Sequence, residues 1–214
     1  MKTARRLAPL TVGLVLVGDL LFAQAPVPLA GAGEGGWSFS ASAFAYFLPD
    51  AADYGQPTLT ADRDRLHLEA RYNYENLHTG SLWLGYNVHF GDELAFELTP
   101  IFGVAFGDTD GVAPGCKASL TWRRLDLTSE SEYLFDFGDS ADSFLYTWSE
   151  LGWSPRGWLR LGLVVQRTKV YQTEFDIQRG FLVGVAYRKA SFTTYVFNPD
   201  AGKPTVVLGL SLAF

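Results

Sequence analysis

One cysteine, one methionine and three histidines are spread over 214 residues. A single thiol closes no intramolecular disulfide and builds no Cys-rich zinc module. Charged residues make up only 19%, and acids outnumber bases 23 to 17, for a formal charge of −6. Phosphate contacts need a basic surface, so nucleic acid is excluded as a partner. Past Gly36 every apolar run is broken within a few residues, whereas a membrane-spanning helix needs about 20. Phosphate loops, Cys-x-x-Cys, His-Glu-x-x-His and Gly-x-Ser-x-Gly are missing as well. What is plentiful is apolar: 48% hydrophobic and 15% aromatic residues, with 22 Gly and 10 Pro. That load is incompatible with disorder, and the length suits one domain rich in turns.

The first residues have the layout of a secretory signal. Lys2, Arg5 and Arg6 make a basic start, Leu7 to Gly18 is apolar, and Phe22-Ala23-Gln24-Ala25 ends in small-x-small. The run is short for an anchor, and Asp19 would sit badly in a bilayer core. The expected organisation is a signal peptide over 1–25, a Pro/Gly/Ala-rich leader over 26–36 and one folded domain over 37–214.

That domain alternates with period two, the mark of strands with one apolar face. Val206, Leu208, Leu210, Leu212 and Phe214 fall on one face, and Thr205, Gly209, Ser211 and Ala213 on the other. The same pattern carries Leu66, Leu68, Ala70, Tyr72 and Tyr74 against Arg65, His67, Glu69, Arg71 and Asn73. It recurs in Leu82 to Phe90, Leu94 to Phe106, Ala118 to Trp122, Leu127 to Phe135 and Leu159 to Val165. In a soluble sandwich the apolar face turns to a core, and the other face is rich in Lys, Thr and Ser. Here the second face holds Gly, Ala, Ser and charges of both signs, which suits a crowded barrel interior.

An alternating apolar strand that ends the chain on Phe214 resembles the C-terminal strand of bacterial outer-membrane β-barrel proteins. The resemblance implies an all-β, transmembrane, antiparallel up-and-down barrel in the outer membrane of a Gram-negative-type envelope. It also implies that Phe214 is an assembly signal read by the outer-membrane insertion machinery, and that the outward face meets outer-membrane lipids.

Barrels of this class have short periplasmic turns and longer external loops. Short turns are expected at Ala61–Asp64, Gly91–Glu93, Arg124-Leu125, Pro155–Gly157 and Arg188-Lys189. Longer connections are expected at Pro49–Tyr54, Glu75–Gly80, Gly107–Pro114, Gly138–Asp142, Tyr171–Phe175 and Pro199–Lys203. They alternate and give about twelve strands. Pro57 weakens the second strand, and losing it would leave ten. Trp122, Trp153, Trp158, Phe90, Tyr187 and Phe214 form one expected aromatic girdle; Tyr72, Tyr74, Phe106, Phe135, Phe137 and Phe144 form the other.

Projected inward, candidate pore-lining residues are Arg65, His67, Glu69, Arg71, Asn87, His89, Glu97, Lys117, Arg123, Glu130, Glu132, Glu150 and Arg160. Mixed signs write no strong single-ion filter. A turn at Arg124-Leu125 places Arg123 opposite Asp126, Ser119 opposite Glu130, and Lys117 opposite Glu132. A hairpin around Glu75–Gly80 brings His67 opposite His89. Two histidines with Glu69 nearby could hold a metal, but the pair lacks a third firm ligand, so no metal or other cofactor is expected. No serine–histidine pair faces outward, so no catalytic residues and no enzyme are expected. Gly107-Asp108-Thr109-Asp110-Gly111 lacks most calcium ligands and reads as a solvated turn. The function expected is a small channel for ions or small polar solutes. The rival readings are a structural or interaction barrel filled by paired side chains and, behind it, a barrel enzyme.

Overall fold

The computed structural model describes residues 36–170 and 176–214. The expected signal peptide, the leader apart from Gly36, and the connection at 171–175 lie outside the described residues. Thirteen strand segments are described: β1 (Ser38–Phe47), β2 (Tyr54–Arg63), β3 (Leu66–Tyr72), β4 (Thr79–Tyr86), β5 (Val88–Phe90), β6 (Leu94–Gly107), β7 (Gly111–Trp122), β8 (Leu125–Asp136), β9 (Phe144–Arg156), β10 (Leu159–Val170), β11 (Asp176–Tyr187), β12 (Ala190–Phe197) and β13 (Thr205–Ala213). All pair antiparallel. β13 pairs with β1, and β4 with β6, so the sheet closes on itself.

β4 and β5 are one stave interrupted at Asn87, which makes twelve staves. The interruption has a cause in β6. Asn87 donates its backbone N–H to the Arg65 carbonyl at 2.7 Å, so Tyr86 before it turns its backbone polar groups toward β6. The β4–β6 ladder ends at Gly85↔Ile101 and resumes as Val88↔Leu98, which puts Pro100 opposite Tyr86. Proline has no N–H to give, and one rung is missing. Pro57 is tolerated for a related reason. The β2–β3 ladder stops at Thr58↔Arg71, one residue before Pro57 is needed, while pairing with β1 continues through Ala43↔Pro57. The second strand stands.

The apolar face turns outward. Leu59, Leu82, Leu84, Leu127, Leu151, Leu163, Val183 and Leu210 are exposed. Trp37, Phe39, Phe90, Trp122, Trp153, Trp158, Tyr187 and Phe214 crowd the short-turn end, and Phe47, Tyr72, Phe106, Phe135 and Phe137 the opposite end. Two expected girdle members do not join them: Tyr74 and Phe144 are buried in the bore. Asn73, at φ 57°, breaks the alternation after β3 and turns Tyr74 and Glu75 inward. Phe144 falls on the inward parity of β9 with Tyr146 and Trp148.

Three of the short turns are displaced from the expected positions: Gly157-Trp158 takes the place of Pro155–Gly157, and residues with positive φ shift two others. Asp64 (φ 53°) opens an Asp64-Arg65 turn, and Arg123 (φ 56°) an Arg123-Arg124 turn. Non-glycine residues adopt this region uncommonly, yet a tight antiparallel turn demands it. One consequence is a register change of two residues. Thr121 faces Asp126, Ser119 faces Thr128, Lys117 faces Glu130, and Gly115 faces Glu132. Lys117 and Glu132 are therefore not directly opposed, but a slip of two keeps both inside.

Candidate functional site

At one level the bore is filled from side to side. Around the ring Phe44, Tyr46, Gln56, Arg71, Trp83, Ile101, Ala113, Glu132, Tyr146, Gln166, Leu182, Tyr195 and Val207 are all buried. Small residues make room for large ones. A Cβ on Gly103 would collide with the Trp83 ring, and one on Gly209 with the Phe44 ring. Trp148 packs edge-on against Tyr195 and Phe197, at 5.5 and 5.2 Å between ring centroids, and Tyr46 stacks on Tyr54 at 4.5 Å.

Below this aromatic group lies an ionic cluster centred on Arg71, whose side chain is 0% exposed. Its Nε meets Glu69 Oε1, Nη1 reaches Glu132 Oε2 at 3.0 Å, and Nη2 reaches Glu130 Oε1 at 2.9 Å. Glu75 Oε1 is 3.8 Å from Nη1. The guanidinium lies 3.9 Å from the Tyr74 ring centroid and 4.3 Å from that of Trp83. Carboxylates take its edges and π-faces its flat sides, the two contacts a planar cation makes best. Lys117 Nζ binds Glu69 Oε2 and stands 3.7 Å from Glu130 Oε2. His67 spans Asp62 (2.8 Å) and Glu69 (3.1 Å), while Asn87 bonds Asp62 and accepts from Thr99. Nearer the short turns Arg160 joins Asp126 to Glu150, at 2.6 Å to Glu150 Oε2, and Trp148 Nε1 donates to Glu150 Oε1 at 2.8 Å.

Of the thirteen inward candidates, eight belong to these two clusters: His67, Glu69, Arg71, Lys117, Glu130, Glu132, Glu150 and Arg160. Asn87 adjoins the first. Glu97 accepts from Ser119 and pairs with His89 at 3.3 Å toward the open short-turn end, where His89 is 58% exposed. Arg65 and Arg123 do not line the bore. Both are drawn into tight turns, Arg65 bonding the Tyr86 hydroxyl at 2.7 Å and Arg123 lying over Trp122. His67 faces Gly85 rather than His89, because the β3–β4 connection spans residues 73–78 and moves the register. Phe214 makes the last rung of the seam: it exchanges two backbone hydrogen bonds with Phe39, at 2.9 and 3.1 Å, and stacks on its ring.

Alternation alone would have found Asp126, flanked by outward Leu125 and Leu127. Alternation also projects Glu75 inward, but nothing in the sequence announces that Tyr74 folds into the bore, since it continues the outward face of Leu66 to Tyr72. Chemically the site can hold charge and exclude solvent. Both ring nitrogens of His67 rest on carboxylates, and His78 and His89 pair with Asp108 and Glu97. Among the described residues no histidine bonds a hydroxyl or thiol, and no group of three His, Cys, Asp or Glu side chains has the spacing of a metal site.

No family model and no curated protein sequence matches the chain. Solved structures do. The KdgM porin superposes with a TM-score of 0.61 at 12% identity, covering 82% of this chain and 99% of that one. The KdgM porin in complex with disordered oligogalacturonate gives 0.60 at 12%, with the same coverage. The Acinetobacter baumannii outer membrane protein Omp33 gives 0.50 at 9%, covering 83% and 98%. Identities this low carry the fold and leave the cargo open.

Proposed function

We propose that this chain, an outer-membrane β-barrel with the porin fold, is a channel for ions or small polar solutes that the Arg71 cluster holds closed at rest. The observation that carries the reading is the make-up of the closure. Beside the aromatic group, the bore is stopped by side chains of mixed charge donated from β3, β7 and β8 and by Glu75 of the connection between β3 and β4. Apolar packing would be the more stable stopper, because buried ion pairs rarely outperform hydrophobic side chains of similar volume. Charged groups across a bore are what a polar solute needs once water enters.

Planar-bilayer recording tests it. Wild-type protein is expected to conduct in brief, infrequent openings. Trp83→Ala, which removes the wall supporting the Arg71 guanidinium, is expected to raise the mean current. A large steady wild-type current would overturn the closed state. Silence from both proteins would overturn the channel and leave the second reading, a barrel filled for structural reasons, which the zero exposure of Arg71, Tyr46 and Tyr195 favours.

For assembly we propose that Phe214 acts as the recognition residue of the insertion machinery. Deleting it is expected to lower the yield of heat-modifiable barrel in cells. Unchanged yield would count against that role.

A further inference from the structure

The four carboxyls around Arg71 are not served alike. Both oxygens of Glu69 face cations or His67, and both oxygens of Glu130 face Arg71, Tyr74 or Lys117. Glu75 Oε1 accepts from Ser81 at 2.6 Å and from Trp83 Nε1 at 3.1 Å, but its Oε2 finds no donor outside its own residue. Glu132 Oε2 accepts from Arg71, but its Oε1 finds none. Both residues are at most 1% exposed. The charges point the same way. Glu69, Glu75, Glu130 and Glu132 stand against Arg71 and Lys117, while His67 is matched by Asp62. A sealed site cannot hold two uncompensated carboxylate charges when neutralising them removes the cost.

We infer that the Arg71 cluster is a proton-binding site, occupied at neutral pH by two protons, one on Glu75 and one on Glu132. A metal ion is the poorer occupant, because Arg71 already fills the centre of the carboxylates as a fixed cation. The groups facing the two acids are Glu69 and Arg71 from β3, Tyr74 from the connection, Ser81 and Trp83 from β4, Lys117 from β7, Glu130 from β8 and Tyr146 from β9. Removing the protons would set like charges side by side against Arg71 and press the 73–78 connection out of the bore. The site thus supplies the closed channel with a trigger, and in that respect it deepens the reading above.

For Glu75, which lies in the connection outside the strands, burial pushes the carboxyl above its ordinary range against the pull of Arg71. A carboxyl raised in the folded state contributes stability that is whole below its unfolded pKa and is lost as pH rises through its folded pKa. The barrel is therefore tightest in mild acid and loosens toward alkaline pH.

Infrared spectra of the refolded full chain test this without any current, so the result is separable from failure of the channel reading. Wild type is expected to show a protonated-carboxyl stretching band at neutral pH. Glu75→Gln and Glu132→Gln should each remove about half of it, since glutamine copies the neutral acid in shape. Should either variant refold poorly, wild-type unfolding serves: each proton held only by the native state lowers the folding equilibrium constant about tenfold per pH unit over its window. No band at neutral pH, a band unchanged in both variants, or stability flat from neutral to alkaline pH would overturn the inference.

Discussion

Arg71→Met is expected to destabilise the barrel by about 3–5 kcal/mol, the usual consequence of removing one partner from a buried ionic group. Methionine fills much of the same volume, so the loss reports charge rather than a cavity. The change strands Glu69, Glu130 and Glu132, each of which bonds the guanidinium, and it takes the cation from between the Tyr74 and Trp83 rings. The check is the urea midpoint of the refolded protein in detergent, read by heat-modifiable migration. Adding Glu69→Gln and Glu130→Gln to Arg71→Met should recover a large share of the loss, because neutral amides no longer need the cation. A single variant within about 1 kcal/mol of wild type, the range of ordinary surface changes, would refute the central role of Arg71.

Gly103→Val is expected to cost about 1–3 kcal/mol by overpacking the bore. Strand propensity argues the other way, since valine favours extended backbone and glycine does not. The contact decides the sign. A Cβ at residue 103 would lie 2.7 Å from Trp83 Cε3 and closer still to two other ring atoms, and Trp83 is held by its Nε1 bonds to Glu75 and Ser81. Gly55→Ala supplies the control: its added Cβ meets only the Phe44 carbonyl, at 4.0 Å, so it should be neutral or mildly stabilising. Equal effects at the two positions, measured by the same denaturation, would show that propensity and not Trp83 sets the outcome.

Within the strands most faces were legible in the sequence, because a period of two survives any error of an even number of residues; the misses, Arg65, Tyr74, Arg123 and Phe144, sit at strand ends and turns. Glu69, Arg71, Lys117, Glu130 and Glu132 are inside for that reason. Their partners were not legible. Register depends on turns such as Asp64-Arg65 and Arg123-Arg124, which lack the Asn-Gly or Asp-Gly signature and adopt positive φ without glycine. The bonds that organise the site also run between staves that do not pair. Arg71 on β3 reaches Glu130 and Glu132 on β8, 59 and 61 residues away, across the bore. Ladder arithmetic connects neighbours only, so it offers Lys117 an acid on the next strand and never finds Glu69 opposite. The interruption after Tyr86 could have been found, since Pro100 is visible in an otherwise regular run.

The seam between β1 and β13 has a consequence for how the molecule comes into being. Every other pairing joins consecutive staves, and a chain can form those one hairpin at a time. The seam joins Ser40 to Ala213 and Phe47 to Val206, nearly the whole domain apart in sequence. Until it forms, the protein is a curled ribbon with two bare edges, each a row of unanswered amide and carbonyl groups able to capture another chain. The entropy of bringing such distant ends together grows only slowly, about 0.6 kcal/mol for each doubling of the loop, so time and exposure are the larger hazards. The closing rung pairs Phe39 with Phe214, so the two bare edges are answered only once the first and last staves have both been delivered to the same place.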